Sequence, residues 1–298
     1  MFSKKILFFL GLFLAITLSY FFILNDDFSS LRPIKGDLNR ISSFEADKIN
    51  QTLSQPFYYF SEGGQSIVFV SKDNQTILKL LKYKNFNPSN LIKILPDFLF
   101  KNFKANHIKK RQERLQSVLL GHQIAFEEHR LESGLIHVQL KPSNQFKQIE
   151  VHDKRGIKRT IDVNQYAFIL QKKAEVFSSV MENLLKQGKM SEAKTWIDKL
   201  FTLYLSEYQK GIYDLDHGIM HNIGCVNHDI IHLDVGSFIK DEKMKAPEYH
   251  KNDLIKVTRK VYQWLNKYYP SYKDELVLKL EEKLQQHLNE PVSLKEVP

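Results

Sequence analysis

Cysteine is all but missing. The 298 residues hold one, Cys225, so neither an intrachain disulfide framework nor a multi-cysteine zinc site can form. A lone thiol of this kind reads as a small buried hydrophobe. Internal repeats, low-complexity tracts and recognisable nucleic-acid-binding motifs are also lacking, so no nucleic-acid partner is expected. Acids are scarce in one region. From Lys79 to Arg114 ten Lys/Arg face only Asp97 and Glu113, within a chain of net charge +9. Such a surplus favours anionic neighbours such as phosphates or lipid headgroups, or else it is a solvated helix face. What is present is core material: 43% hydrophobic and 12% aromatic residues, enough for one large domain or two lobes.

Long apolar runs are lacking except at the start. Lys4 and Lys5 precede ILFFLGLFLAITLSYFFIL, residues 6–24, which carries no charge. About 20 apolar residues at a 1.5 Å rise cross a hydrocarbon core as a helix. The run lacks a small-x-small cleavage site, so residues 1–25 are expected to be an uncleaved single-pass membrane anchor. Lysines before the span and Asn25-Asp26-Asp27 after it place the N-terminus on the cytoplasmic side. Residues 26–54 are polar and read as a linker.

Strand patterns begin near Phe57. FYYF, SIVFV and TILKLL are separated by Glu62-Gly63-Gly64-Gln65 and Lys72-Asp73-Asn74. Short helices are expected over 85–106 and a long amphipathic helix over 107–131. LIHVQL, QIEVH, GIKRTIDV and YAFILQ form a second group of strands, with Asp153-Lys154-Arg155-Gly156 as a hairpin turn. Helical patterns follow at 172–186, 191–210, 252–268 and 271–288, the last behind a Ser271/Asp274 capping pattern.

Chemistry concentrates in residues 211–238, GIYDLDHGIMHNIGCVNHDIIHLDVGSF, with four aspartates and four histidines. His217/His221 and His228/His232 are each four apart, the spacing of helical metal ligands. The second pair lies at a strand, where Cα atoms four apart are about 13 Å from each other, too far to share an ion. The first lacks the glutamate of a metalloprotease motif. All four histidines therefore read as structural or solvated. Oxygen ligands suit better. Asn222 and Asp234 flank an apolar strand and could bind a hard divalent cation, while Asp214 or Asp216 could orient a hydroxyl or take its proton.

This segment resembles the catalytic and metal-binding loops of the protein-kinase-like fold, with LDVG at 233–236 in the place of Asp-Phe-Gly. Upstream, EGGQSIVFVSKDNQTILKLLK resembles the glycine turn, two strands and phosphate-contacting lysine of that family. The resemblance spans residues 55–240. It implies an α+β fold: a two-lobe kinase-like domain with a mainly β N-lobe over 55–171 and a small helical C-lobe over 172–298, preceded by one transmembrane helix. It further implies ATP and Mg²⁺. Lys79, Gly63, Gly64 and Gln171 would contact nucleotide, Asn222 and Asp234 the metal, and Asp216 would be the catalytic residue acting on a protein or small-molecule acceptor. Glu113 or Glu127 would pair with Lys79. The sequence departs from the family where the catalytic Asp stands five residues before the metal-binding Asn: that position is His217, with Asp216 six before. The glycine turn is short, and Ala246-Pro247-Glu248 follows Asp234 by only twelve residues. The implied function is a membrane-anchored kinase, or a catalytically inactive pseudokinase acting as a binding module at the membrane.

Overall fold

The structure is a computed structural model that describes residues 8–17, 28, 31, 46–86, 92 and 94–295. A ten-residue helix, α1, covers 8–17 and is about 15 Å long at 1.5 Å per residue, half a hydrocarbon core. Among the described residues no helix is long and apolar enough to cross a membrane. The expected transmembrane helix is corrected accordingly. The apolar run satisfies a length count, but the described helix covers only its middle, and the rest of 6–24 lies outside the described residues. The fold is mixed α/β, built on a seven-stranded sheet, rather than a β lobe behind a membrane span.

The strands are β1 (Phe57–Glu62), β2 (Ser66–Ser71), β3 (Thr76–Leu81), β4 (Leu135–Gln139), β5 (Ile149–His152), β6 (Lys158–Ile161) and β7 (Phe168–Lys172), in the sheet order β4-β7-β3-β2-β1-β5-β6. The chain divides into two compact units: one takes 1–73, 78–108 and 139–168, the other 74–77, 109–138 and 169–298.

In the first unit β1 pairs antiparallel with β2 and parallel with β5. β2 alternates buried and half-buried residues, as a strand with one covered face must, and Ile67 and Phe69 point inward with Phe57 and Val151. β3 is buried at every position but Lys79. The Asp153 carboxylate caps its turn by accepting from Arg155 N and Ile157 N, each at 2.9 Å, and Gly156 takes a φ of +77°. The helix α2 (Ala46–Leu53) falls in the stretch read as linker and buries Ile49 and Leu53.

The second unit holds the C-terminal part of α3 (Asp97–Glu128), then β8 (Glu175–Val176), α4 (Phe177–Lys186), α5 (Met190–Gln209), β9 (Ile212–Asp214), α6 (Ile219–Asn222), β10 (Ile223–Val226), β11 (Asp229–His232), β12 (Phe238–Lys240), α7 (Pro247–Tyr268) and α8 (Lys273–Leu288). Leu200, Leu203 and Tyr204 of α5 pack with Leu254, Val257 and Val261 of α7 and Leu276 and Leu280 of α8. Gly211, φ +69°, ends α5 where a stop is expected. The Ser271/Asp274 capping pattern is not used: Tyr272 is the N-cap of α8 and no side chain caps it. Ala246-Pro247-Glu248 is a helix start, with Pro247 in the first turn of α7 and Glu248 beside it.

Candidate functional site

The site is built on two short antiparallel pairs. β10 and β11 form a hairpin with Ile223 opposite His232, turned by Asn227 at φ +55°. β9 and β12 pair Asp214 with Phe238. Because β9 precedes this hairpin and β12 follows it, the residues after β9 and those before β12 run side by side: Leu215 N–H donates to Ser237 O at 3.2 Å. At the hairpin mouth Leu233 N–H donates to Asn222 O at 2.6 Å. Asp216, Asn222 and Asp234, distant in sequence by up to eighteen residues, thereby share one end of the unit.

Local chemistry shapes this loop. Asp214 Oδ1 accepts from Asp216 N–H at 2.9 Å. Asn222 Nδ2 donates to Asp216 Oδ2 at 3.3 Å. A Cβ on Gly218 would lie 2.7 Å from Asn222 Nδ2 and 3.2 Å from Asp216 Oδ1, so glycine there lets these two side chains meet. Asp234 is half-buried. Its Oδ1 accepts from Gly236 N–H at 3.0 Å, and Oδ2 has no hydrogen-bond partner among the described residues. The tight turn after Asp234 uses this side-chain bond rather than a left-handed glycine, since Gly236 has no positive φ. Asn222 and Asp234 carry oxygen donors of the kind that could hold a hard divalent cation.

His217 is held more firmly than a solvated histidine. Its Nε2 lies 2.6 Å from Asp253 Oδ1, and Tyr208 O–H donates to Asp253 Oδ2 at 2.8 Å. The Asp253 hydrogen bond raises the His217 pKa against the opposing effect of burial. Nδ1 has no hydrogen-bond partner among the described residues. Asp214, three residues before it, is buried, and burial pushes its pKa up to about 7; its Oδ2 has no hydrogen-bond partner among the described residues.

Behind the hairpin lies a fully buried group: His129, Glu207 and His232. Glu207 Oε1 hydrogen-bonds His232 Nε2 and lies 3.4 Å from His129 Nε2. Burial opposes charge on both members, but the Glu207 carboxylate raises the His232 pKa and His232 lowers that of Glu207, so the two form a buried ion pair. Two histidines and a carboxylate could suggest a metal. However, the Lys210 ammonium lies 3.1 Å from His129 Nδ1 and 2.5 Å from Glu132. An ammonium has no lone pair, so it donates to Nδ1 and occupies that ring nitrogen. The carboxylate of the group is meanwhile engaged by His232. The strand before Asp234 is held through its backbone: His232 N–H donates to Glu132 O at 2.8 Å, and Gln171 Nε2 donates to both Ser133 O and His232 O at 2.7 Å.

α3 meets the Asp234 segment at a glycine. A Cβ on Gly121 would lie 2.5 Å from Val235 O and 3.0 Å from Gly236 C. Helix propensity favours Gly121→Ala by about 1 kcal/mol. Overpacking against an unyielding backbone costs about 1–3 kcal/mol. Gly121→Ala is expected to destabilise in a denaturant titration; a gain in stability would mean that residues 235–236 give way without cost.

Of the remaining expected site residues, Lys79 is half-buried on β3 of the first unit. Gly63 and Gly64 are exposed between β1 and β2 and have no positive φ. Gln171 is buried with its amide nitrogen engaged as above. Glu113 lies 3.9 Å from Lys109 and Glu127 accepts from Gln123, each within α3. Asp253, Tyr208, Glu207, His129 and Gly121 were not expected from sequence. Glu207 did leave a signal, as an acid on the apolar stripe of Leu200, Leu203 and Tyr204.

No protein-family model and no curated protein sequence matches the chain. Among solved structures, it is similar to a crystal structure of WbdD at 10% identity and a TM-score of 0.41, covering 82% of this chain and 48% of that one. Two further WbdD structures match. One is a co-crystal with a kinase inhibitor, at 9% identity and a TM-score of 0.37. The other is described as the bifunctional kinase-methyltransferase, at 9% and 0.35. The chain spans about half the length of these proteins. Likeness at this level assigns neither activity nor site residues. In its own order of elements the chain has strands with a lysine on β3, a long helix, more strands, then a helical region carrying the Asn222–Asp234 hairpin.

Proposed function

We propose that this chain is a Mg²⁺-dependent phosphotransferase that moves the terminal phosphoryl group of ATP to a hydroxyl acceptor. The observation that carries this reading is the gathering of Asp216, His217, Asn222 and Asp234 around one hairpin, with Asp234 Oδ2 and His217 Nδ1 left without hydrogen-bond partners among the described residues. Asn222 and Asp234 would supply oxygen ligands to Mg²⁺, whose charge stabilises the phosphates. Lys79, with Gly63 and Gly64, would contact phosphates, and Gln171, whose side chain is buried, would lie at the nucleotide through its backbone alone. Asp216 would orient the acceptor hydroxyl. His217, oriented by Asp253, would take its proton on Nδ1 as the acceptor oxygen bonds to the terminal phosphorus, the bond to the bridging oxygen breaks and ADP leaves.

A second reading retains nucleotide binding and drops transfer, as in a pseudokinase. It is favoured by one observation: the position at which the family resemblance puts the catalytic Asp is His217. ADP release from Mg²⁺ and ATP separates the two. Transfer predicts Mg²⁺-dependent release that falls by about a hundredfold or more in Asp234→Asn. Release at the same rate in that variant would sink the assignment.

A further inference from the structure

An open groove of about 470 Å³ lies in the second unit, within the size range of small-molecule sites. One wall is the loop carrying Asp216, His217 and His221; the other is the face of α7 that carries Lys260, Gln263, Trp264, Lys267 and Tyr268. Their spacing of three, four and seven puts these side chains on one helix face, with Lys260 and Lys267 about 10 Å apart along the axis. Lys260 and Lys267 are exposed and make no ion pair among the described residues. Lys267 lies 4.8 Å over the Tyr268 ring and sits in the last helical turn, where it also complements the helix dipole. Lys260 is mid-helix, so the dipole does not account for it. Asp216 is the only carboxylate of the lining, against two lysines and two histidines. Trp264 is half-buried and Tyr268 exposed, giving flat apolar faces between the charges.

Three chemistries therefore meet: cations that bind a phosphate without fixing its geometry, rings against which a sugar can stack, and a carboxylate that accepts from hydroxyls while repelling a second anion. We infer that this groove binds a phosphorylated sugar, with its phosphate toward Lys260 and Lys267 and a free hydroxyl at Asp216 and His217. As the acceptor site, it rests on the phosphotransfer reading; as a binding site, it does not.

Trp196 and Trp264 are the only tryptophans, so Trp196→Phe makes Trp264 the sole indole reporter. The full chain with this change is titrated with glucose 6-phosphate, glucose and inorganic phosphate, following fluorescence. Glucose 6-phosphate is expected to give a saturable change, at least tenfold tighter than glucose or phosphate alone. Lys260→Glu and Lys267→Glu, both at exposed positions, are each expected to weaken it tenfold or more with unchanged circular dichroism. No saturable change, equal affinity for glucose, or binding that survives both charge reversals would overturn the inference. Mg²⁺-ATP is titrated separately by thermal shift. Nucleotide binding without sugar phosphate binding removes the groove and spares phosphotransfer; the reverse spares the groove and removes phosphotransfer.

Discussion

Replacing Glu207 with leucine is expected to lower the unfolding free energy by about 3–5 kcal/mol, the cost of stranding a buried charge. Glu207 is fully buried on the core face of α5 and its Oε1 serves His232 directly, with His129 within 3.4 Å. Without the carboxylate, His232 either stays charged with no counter-charge or gives up its proton against its ordinary pKa, and in both cases its Nε2 loses its partner in the interior. The double variant Glu207→Leu, His232→Leu is expected to cost less than the sum of the two single changes, because an apolar pair leaves no unmatched charge. Chemical denaturation of the four proteins measures this; additive losses would show that the two residues do not interact. The pH dependence has two limbs. Glu207 has a lowered folded pKa, so its contribution is present above the ordinary 4.5 and lost as pH falls through the folded value. His232 has a raised one, so its contribution is full below the ordinary 6.5 and lost as pH rises through the folded value. The destabilisation by Glu207→Leu is therefore expected to be greatest between about pH 4.5 and 6.5.

His217→Asn is expected to reduce phosphoryl transfer by about 10²–10⁴-fold while leaving nucleotide affinity unchanged. A general base acts in its neutral form. Asp253 raises the His217 pKa, so the wild-type rate should climb with pH and level off above that raised value. Asp214 acts in the same direction and Lys256 opposes; Asp216 stands next to His217 on the same wall of the groove, and Lys260 lines the other wall. Asp253→Asn removes the main source of the shift. Its rate should be lower, with the climb displaced to lower pH, and Asp253→Glu should recover part of the rate. A purely structural role for the pair would lower the rate in both variants without moving the pH profile.

The strands and helices were largely legible because their signals are local. β-Branched and aromatic content between polar turns marked β2, apolar spacing marked α5 and α7, and Asp153 with Gly156 marked a turn. The order of elements made the kinase-like resemblance visible, and Asn222 and Asp234 could be singled out because a short hairpin joins them. Partners supplied by distant segments were not legible. Asp253 lies 36 residues beyond His217 in α7, and no local pattern announces that pairing. Gly121 owes its identity to the backbone of residues 235–236, a contact that exists only after folding. The membrane helix failed for a different reason: hydropathy counts residues in a run, whereas the described helix covers ten of them.

The central claim is that Asp234 helps to bind nucleotide through Mg²⁺. A thermal-shift titration with ATP, with and without Mg²⁺, on the wild type, Asp234→Asn and Lys79→Ala tests it most directly. A ligand held by the folded state alone adds about 2.7 kcal/mol at a hundred times its Kd. The expected result is a Tm increase in the wild type that requires Mg²⁺ and disappears in both variants. No increase in a folded wild type, or one that persists without Mg²⁺ and in Asp234→Asn, would contradict the account.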